Sequence, residues 1–256
     1  MIIRKSPSEL EKMRSASRLV AEILDEMRGM VEPGISTMDL EVVAEKRVLE
    51  AGAKSAFKGY YVPAAGSRFP SVLCTSINDE VVHGIPSKKR VLKEGDIVKI
   101  DIGVQMDGYF GDSAVTVAVG EVDAEKKRLM EATEKSLALA IEQMVPGNRL
   151  FDVCGAVQRH VEDAGFTIVR EFVGHGIGAK LHEEPHVPNY VDHKMRNPRL
   201  REGMVFAIEP MVAAGKPETH VLPDRWTAVT ADGSAAAHFE HTVAITEKGP
   251  WVLTTR

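Results

Sequence analysis

Cysteine is nearly absent: the 256 residues contain two, Cys74 and Cys154. That excludes a disulfide framework and suits a reducing compartment. No run approaches the roughly eighteen apolar residues that a membrane span needs. Positive charge is not in excess, since the net charge is −5. This argues against a nucleic-acid-binding surface, although a local basic patch stays open. Met1 to Ser17 carry charges throughout and no apolar h-region, so no secretory signal is expected. Low-complexity and linker-like stretches are missing too. The expectation is a soluble cytosolic globule, long enough to bury a full core as one large domain or two tight halves.

One phrase is written twice. Val91-Leu92-Lys93-Glu94-Gly95-Asp96-Ile97-Val98-Lys99-Ile100-Asp101 is echoed by Arg199-Leu200-Arg201-Glu202-Gly203-Met204-Val205-Phe206-Ala207-Ile208-Glu209. Each copy is a charged turn, an apolar strand-like run, and a carboxylate at the far end. Such a carboxylate is costly to bury unless something positive sits beside it. Pro33-Gly34, Asp39 and Ala51-Gly52 recur at the same mutual spacing as Pro146-Gly147, Asp152 and Ala164-Gly165. A period of roughly a hundred residues is too long for a solenoid. It reads as one half-domain duplicated and fused, with halves over 1–120 and 121–256 in a single domain.

Ser6-Pro7-Ser8-Glu9 is a helix start, with Ser as N-cap and Glu placed to close the capping box. Apolar positions at Leu10, Met13, Val20, Leu24 and Met27 carry that helix to Gly29. Further helices are expected over 37–51 and 124–144, with another ending at Gly165. Strands are expected over 72–77, 97–104, 109–119, 166–173, 205–208 and 239–245, and a loop over 57–70. The grouping favours an α+β fold with an antiparallel sheet and helices on one face.

Asp101 and Asp112 flank the turn Gln105-Met106-Asp107-Gly108. A Met106-Asp107 loop would set them directly opposite. An Asp107-Gly108 loop, the stronger turn signal, would make them diagonal neighbours. Both registers put them on one face, where like charges at about 5 Å repel and a divalent cation would turn repulsion into attraction. His175 stands in Gly174-His175-Gly176-Ile177-Gly178, whose glycines would let the backbone turn and present the ring. Glu209 precedes Pro210, and Glu240 lies in His238-Phe239-Glu240-His241. Taken singly, each of these has an ordinary reading as a loop or strand-edge residue. Together, four carboxylates and one imidazole from five segments match an oxygen-rich two-metal site that activates water and polarises a carbonyl. Mn²⁺, Fe²⁺, Co²⁺ and Zn²⁺ all suit such donors. His182-Glu183-Glu184-Pro185-His186 imitates the H-E-x-x-H zinc-protease pattern. Pro185 would interrupt the helix that pattern requires, so a loop is expected there.

These segments, with Ser76-Ile77-Asn78, His83-Gly84-Ile85-Pro86, Asp101-Ile102-Gly103, Gly111-Asp112, Glu209-Pro210-Met211 and Glu240-His241-Thr242, resemble type I methionine aminopeptidases of the M24 metallopeptidase family. Order and spacing agree from near residue 6 to the C-terminus. The resemblance implies the pita-bread fold of two pseudo-symmetric halves. It implies two divalent metals held by Asp101, Asp112, His175, Glu209 and Glu240, with Asp112 and Glu240 bridging. It further implies substrate contacts from His83 and His182, proton transfer by Glu209, and a methionine pocket of Tyr60, Phe69, Cys74 and Trp226. The long insertion of type II enzymes and the zinc-binding N-terminal extension of some eukaryotic members are not seen. Three departures touch the pocket: Phe57 where a cysteine is common, Leu181 where an aromatic is common, and a longer loop between Tyr60 and Phe69.

The expected activity is removal of N-terminal methionine from nascent chains whose second residue is small. A cytoplasmic monomer that meets the ribosome transiently, with no membrane and no specific nucleic acid as partners, fits that role. Ile2 is bulky, so this chain should keep its own Met1. The rival readings are an X-Pro aminopeptidase or dipeptidase of the same fold, a metal-free creatinase-like hydrolase, and a non-catalytic peptide- or RNA-binding relative. The complete set of five metal donors disfavours the last two.

Overall fold

Ser6 caps the first helix as its sequence predicts. Its hydroxyl accepts from the Glu9 N–H at 3.4 Å, and the Glu9 carboxylate accepts from the Ser6 N–H at 2.8 Å. Ser36 and Asp39 repeat the exchange at the second helix, at 3.3 and 2.9 Å. The computed structural model describes residues 2–256, so Met1 and the expectation about its retention lie outside the described residues. The first half contains helices α1 (Pro7–Met30) and α2 (Thr37–Glu50). Its strands are β1 (Lys54–Ser55), β2 (Tyr61–Val62), β3 (Ser67–Arg68), β4 (Leu73–Ile77), β5 (Glu80–Val82), β6 (Ile97–Met106) and β7 (Tyr109–Ala118). The second half contains α3 (Ala124–Glu142), α4 (Leu150–Asp163), β8 (Thr167–Ile168), β9 (Gly174–Gly176) and β10 (Glu183–Val187). It continues with β11 (Val205–Ile208), β12 (Met211–Ala213), β13 (Thr219–Val221), β14 (Ala228–Thr230), β15 (Ala236–His238), β16 (His241–Thr246) and β17 (Gly249–Val252). No helix among the described residues is long and apolar enough to cross a membrane.

Every ladder among the described residues is antiparallel. In the first half β6 pairs with β1, β4 and β7; in the second, the order is β10-β9-β11-β16-β17. Alternation decides what each face of β6 meets. Val98, Ile100, Ile102 and Val104 turn toward Val20, Ile23, Leu24 and Met27 of α1 and Leu40 of α2, all buried. Lys99, Asp101 and Gly103 turn the other way. In the second half, Leu129, Leu137, Val153 and Val157 of α3 and α4 pack on Phe206, Ile208, Val212, Val243 and Ile245. The helices therefore cover one side of the sheets and leave the opposite side to the acids.

The repeated phrase folds into repeated contacts. The Gly34 N–H donates to Leu92 O at 2.9 Å, and the Gly147 N–H to Leu200 O at 3.1 Å. Gly95 and Gly203 donate to Val119 O and Ile245 O, each at 2.9 Å. The paired glycines adopt matching left-handed backbones, with φ of 99° and 100° for Gly34 and Gly147, and 85° and 81° for Gly95 and Gly203. Where β7 meets β16, single bonds replace a ladder. The Asp112 N–H donates to Thr242 Oγ1 at 3.1 Å, that hydroxyl donates back to Asp112 O at 2.8 Å, and the Glu240 N–H donates to Ala114 O at 2.9 Å.

Four local expectations change. The strand expected over 166–173 shrinks to Thr167–Ile168, which pair with β12, followed by one last bond from the Val169 N–H to Met211 O at 3.0 Å. The strand expected over 239–245 breaks at Phe239-Glu240, since β15 pairs with β12 whereas β16 pairs with β11 and β17. The loop expected at the histidine-rich decoy is a strand, β10, paired with β9. The loop over 57–70 closes on a small hairpin in which Tyr61 faces Arg68 and Val62 faces Ser67.

Candidate active site

The β6–β7 turn settles the register of the two aspartates. Asp107 and Gly108 form the tip with φ of 51° and 83°, the backbone a tight two-residue hairpin demands. Gly103 consequently faces Asp112, and Asp101 faces Ala114, so the acids are diagonal neighbours on one face. Only glycine fits at 103: a Cβ there would stand 2.9 Å from Ala56 Cβ and 3.1 Å from Asp112 Oδ1.

His175 lies in β9, between β10 and β11. Its flanking glycines act differently from the sequence expectation. Neither has a left-handed backbone; instead a Cβ on Gly174 would come within 2.4 Å of Ala207 O, and one on Gly176 within 2.3 Å of Glu184 O. They let neighbouring strands close in on the histidine. The ring's Nδ1 is 2.9 Å from Gly176 O. A carbonyl only accepts, so Nδ1 carries the proton and Nε2 keeps its lone pair. That Nε2 lies 3.5 Å from Glu209 Oε1 and 4.0 Å from Asp112 Oδ2. Glu209 closes β11, its carbonyl held by the Asn189 amide at 3.0 Å. Glu240 sits in the break between β15 and β16.

Asp112, His175 and Glu240 are all buried and offer ligand atoms within 4.8 Å of one another. Three buried carboxylate oxygens, Asp101 Oδ1, Asp112 Oδ1 and Glu240 Oε1, have no hydrogen-bond partner among the described residues. Native interiors rarely leave buried polar atoms so. Burial pushes Asp112 up to about 7. Burial, reinforced by the neighbouring acids, pushes Asp101, Glu209 and Glu240 well above the usual carboxylate range. Burial also drops His175 to about 3, so its imidazole is neutral. Orphaned, mutually repelling oxygens beside a neutral imidazole lone pair fit divalent cations of the oxygen- and nitrogen-liking kind.

A cavity of about 220 Å³ opens over these acids, and all the metal-ligand and substrate-contact candidates taken from the sequence line it. On its apolar side Phe69 and Trp226 meet edge to face at 5.1 Å, and the Trp226 N–H donates to Ser67 Oγ at 2.9 Å. Burial first, and then Asp101, holds the Cys74 thiol well above its ordinary value, so it stays an uncharged, small apolar group. The departures Phe57 and Leu181 lie in the same wall. His83 follows β5 with φ of 62° and sits edge-on to Phe172 at 5.5 Å. His182 stacks edgewise on His175 with ring centroids 4.3 Å apart. His186, the decoy's other histidine, is exposed on the next strand from His175 and does not line the cavity.

Sequence reasoning missed two features. His238 lines the cavity with both ring nitrogens buried and without partners, and burial lowers it to about 3. Its spacing of two from Glu240 was the available signal. The Tyr60 hydroxyl lies 2.8 Å from His182 Nδ1, a pairing of residues far apart in the chain that no local pattern announces.

The profile of Metallopeptidase family M24 matches residues 11–247. The chain belongs to that family. It is 52% identical to a methionine aminopeptidase of Aquifex aeolicus, with 97% of each chain covered. Identity to methionine aminopeptidase 1 of Bacillus subtilis is 48%, over 99% of each. The crystal structure of a Thermotoga maritima methionine aminopeptidase superposes with a TM-score of 0.94 at 46% identity, over all of both chains. A Pyrococcus furiosus prolidase shares the fold alone, at a TM-score of 0.78 and 22% identity, with 66% of its chain covered. The architecture is the pita-bread fold. Membership of a metallopeptidase family implies a divalent metal, and the orphaned carboxylates are where this chain has donors for one.

Proposed function

We propose that this chain is a methionine aminopeptidase: a single catalytic domain of two related halves that removes N-terminal methionine when the second residue is small. The observation that carries this reading is the meeting of two unlike walls in one cavity. One wall is the orphaned acids with His175; the other is the Phe69, Trp226 and Cys74 pocket. Asp101, Asp112, His175, Glu209 and Glu240 would hold two divalent cations. When bound, such a pair supplies an activated water and polarises the scissile carbonyl. The remaining work falls to the chain. His182 donates to the carbonyl oxygen as negative charge gathers there, a contact of the kind worth about 3 kcal/mol. Glu209 takes the proton and passes it to the leaving amine. His83, which burial lowers to about 4 and so keeps neutral, holds the next peptide unit. The methionine thioether, flexible and polarisable, suits a pocket of aromatic edges and sulfur. Nascent chains are the natural source of such N-termini, so the proposed reading includes work in the cytoplasm, near the ribosome.

The test is apoprotein reconstituted with Mn²⁺, Fe²⁺, Co²⁺ or Zn²⁺ in turn and offered Met-Ala-Ser, Leu-Ala-Ser and Ala-Pro peptides. Methionine release that depends on metal and is selective over leucine is expected. Preference for the X-Pro bond would replace this reading with a prolidase-type one.

A further inference from the structure

His175 and His182 touch, yet the groups behind them set opposite tautomers. Gly176 O fixes the proton of His175 on Nδ1. Behind His182 stands the Tyr60 hydroxyl, 2.8 Å from Nδ1, with the two rings edge to face at 5.5 Å. A phenol O–H is a stronger acid than a neutral imidazole N–H, and an imidazole nitrogen is a stronger base than a phenol oxygen. The bond therefore runs from Tyr60 O–H to His182 Nδ1. With Nδ1 accepting, the neutral ring carries its proton on Nε2, the nitrogen left for a molecule in the cavity. We infer that Tyr60 is a positioning residue, whose hydroxyl locks His182 into the Nε2–H tautomer and so aims a donor, rather than a lone pair, at the substrate carbonyl.

The backbone around Tyr60 is built to hold that hydroxyl in place. Its N–H donates to Phe57 O at 2.8 Å, and its carbonyl accepts from the Phe69 N–H at 2.9 Å. The Gly59 N–H closes onto Phe69 O at 2.8 Å, and the Arg68 guanidinium donates to Gly59 O at 2.7 Å. These bonds clamp the neck of the β2–β3 hairpin, so the hairpin that walls the pocket also sets the protonation pattern of the histidine. One edge of His182 reaches solvent.

The inference rests on the proposed peptidase function, and the experiment separates the two. Tyr60→Phe keeps the ring and removes only a hydroxyl from a partly exposed residue. Loss of such a supporting bond should lower kcat for Met-Ala-Ser by about 10- to 100-fold while KM stays within about twofold. In a His182→Ala background the same substitution should cost nothing further, because the group it acts through is gone. Ring ¹⁵N spectra of the Zn²⁺-loaded enzyme, with His182 assigned by comparison with His182→Gln, should show the proton on Nε2 in the parent. Mixed tautomers are expected in Tyr60→Phe. An equal loss in both backgrounds, a change confined to KM, or a parent ring protonated on Nδ1 would each overturn the inference. Failure of the parent enzyme to release methionine would instead refute the proposed function, and the spectra would still decide the tautomer.

Discussion

Asp112→Asn should push stability in opposite directions with and without metal. In the parent apoprotein, Asp112 is held at about 7 instead of its ordinary 3.8. Its ionised form is thus disfavoured in the folded state by about 4 kcal/mol. Below 3.8 the group is protonated whether folded or not, and the cost is absent. As pH rises toward 7 only the unfolded chain ionises, so stability drains away; above 7 both states ionise and the loss is constant. Asparagine carries no charge and its amide can donate to the neighbouring carboxylates, although it must find partners in a buried site. A net gain of about 3 kcal/mol near pH 8 is expected for the apo variant, or roughly 6–12 °C in Tm for a chain of this size. With saturating Mn²⁺ the order reverses, since the parent binds its metal more tightly and draws stability from it. The assay is urea unfolding of chelated and metal-loaded protein from about pH 5 to 8. An apo variant no more stable than the parent near pH 8, or an unchanged pH slope, would show that the acids are not a repelling cluster awaiting cations.

Trp226→Ala removes a buried ring packed on Phe69; it should cost about 3–5 kcal/mol by urea titration and raise KM for Met-Ala-Ser more than it lowers kcat. Ser6→Ala deletes the N-cap acceptor of α1 and should lower stability by about 1 kcal/mol in the same titration. Methionine release at saturating metal should be unchanged in that variant, because Ser6 lies outside the cavity. Lys99, buried beside Asn78 O at 2.7 Å, is lowered to about 7 by burial. Between there and its ordinary 10.5 the unfolded chain binds more protons than the folded one, so stability should rise with pH across that window. Lys99→Met should flatten this rise in urea titrations at successive pH values, and an unaltered slope would contradict the assignment.

Much of this molecule was legible without coordinates because the deciding interactions are local. Ser6 with Glu9 and Ser36 with Asp39 fix two helix starts within four residues each. Asp107-Gly108 fixes a hairpin tip, and the tip decides that Asp101 and Asp112 are diagonal neighbours rather than directly opposed. The recurrence of Gly34 and Leu92 as Gly147 and Leu200 told of two similar halves before their matching bonds were seen. The proposed metal donors could be picked out for a different reason: a carboxylate at the end of an apolar run is costly by itself, and several such costly placements demand a shared explanation.

Distance in the chain marks where that legibility stops. Strand ends at 166–173 and 239–245 depend on which neighbour is there to accept a bond, and β12, β11 and β17 supply that answer from elsewhere. The role of Gly174 and Gly176 turns on the approach of Ala207 O and Glu184 O. Most of all, the sequence by itself singled out the acids and histidine proposed to hold metal and, through a family resemblance, the residues proposed to hold methionine. Only the tertiary structure decided which nitrogen of each histidine faces them, because a tautomer is set by whatever stands behind the ring, and Tyr60 is brought behind His182 by folding.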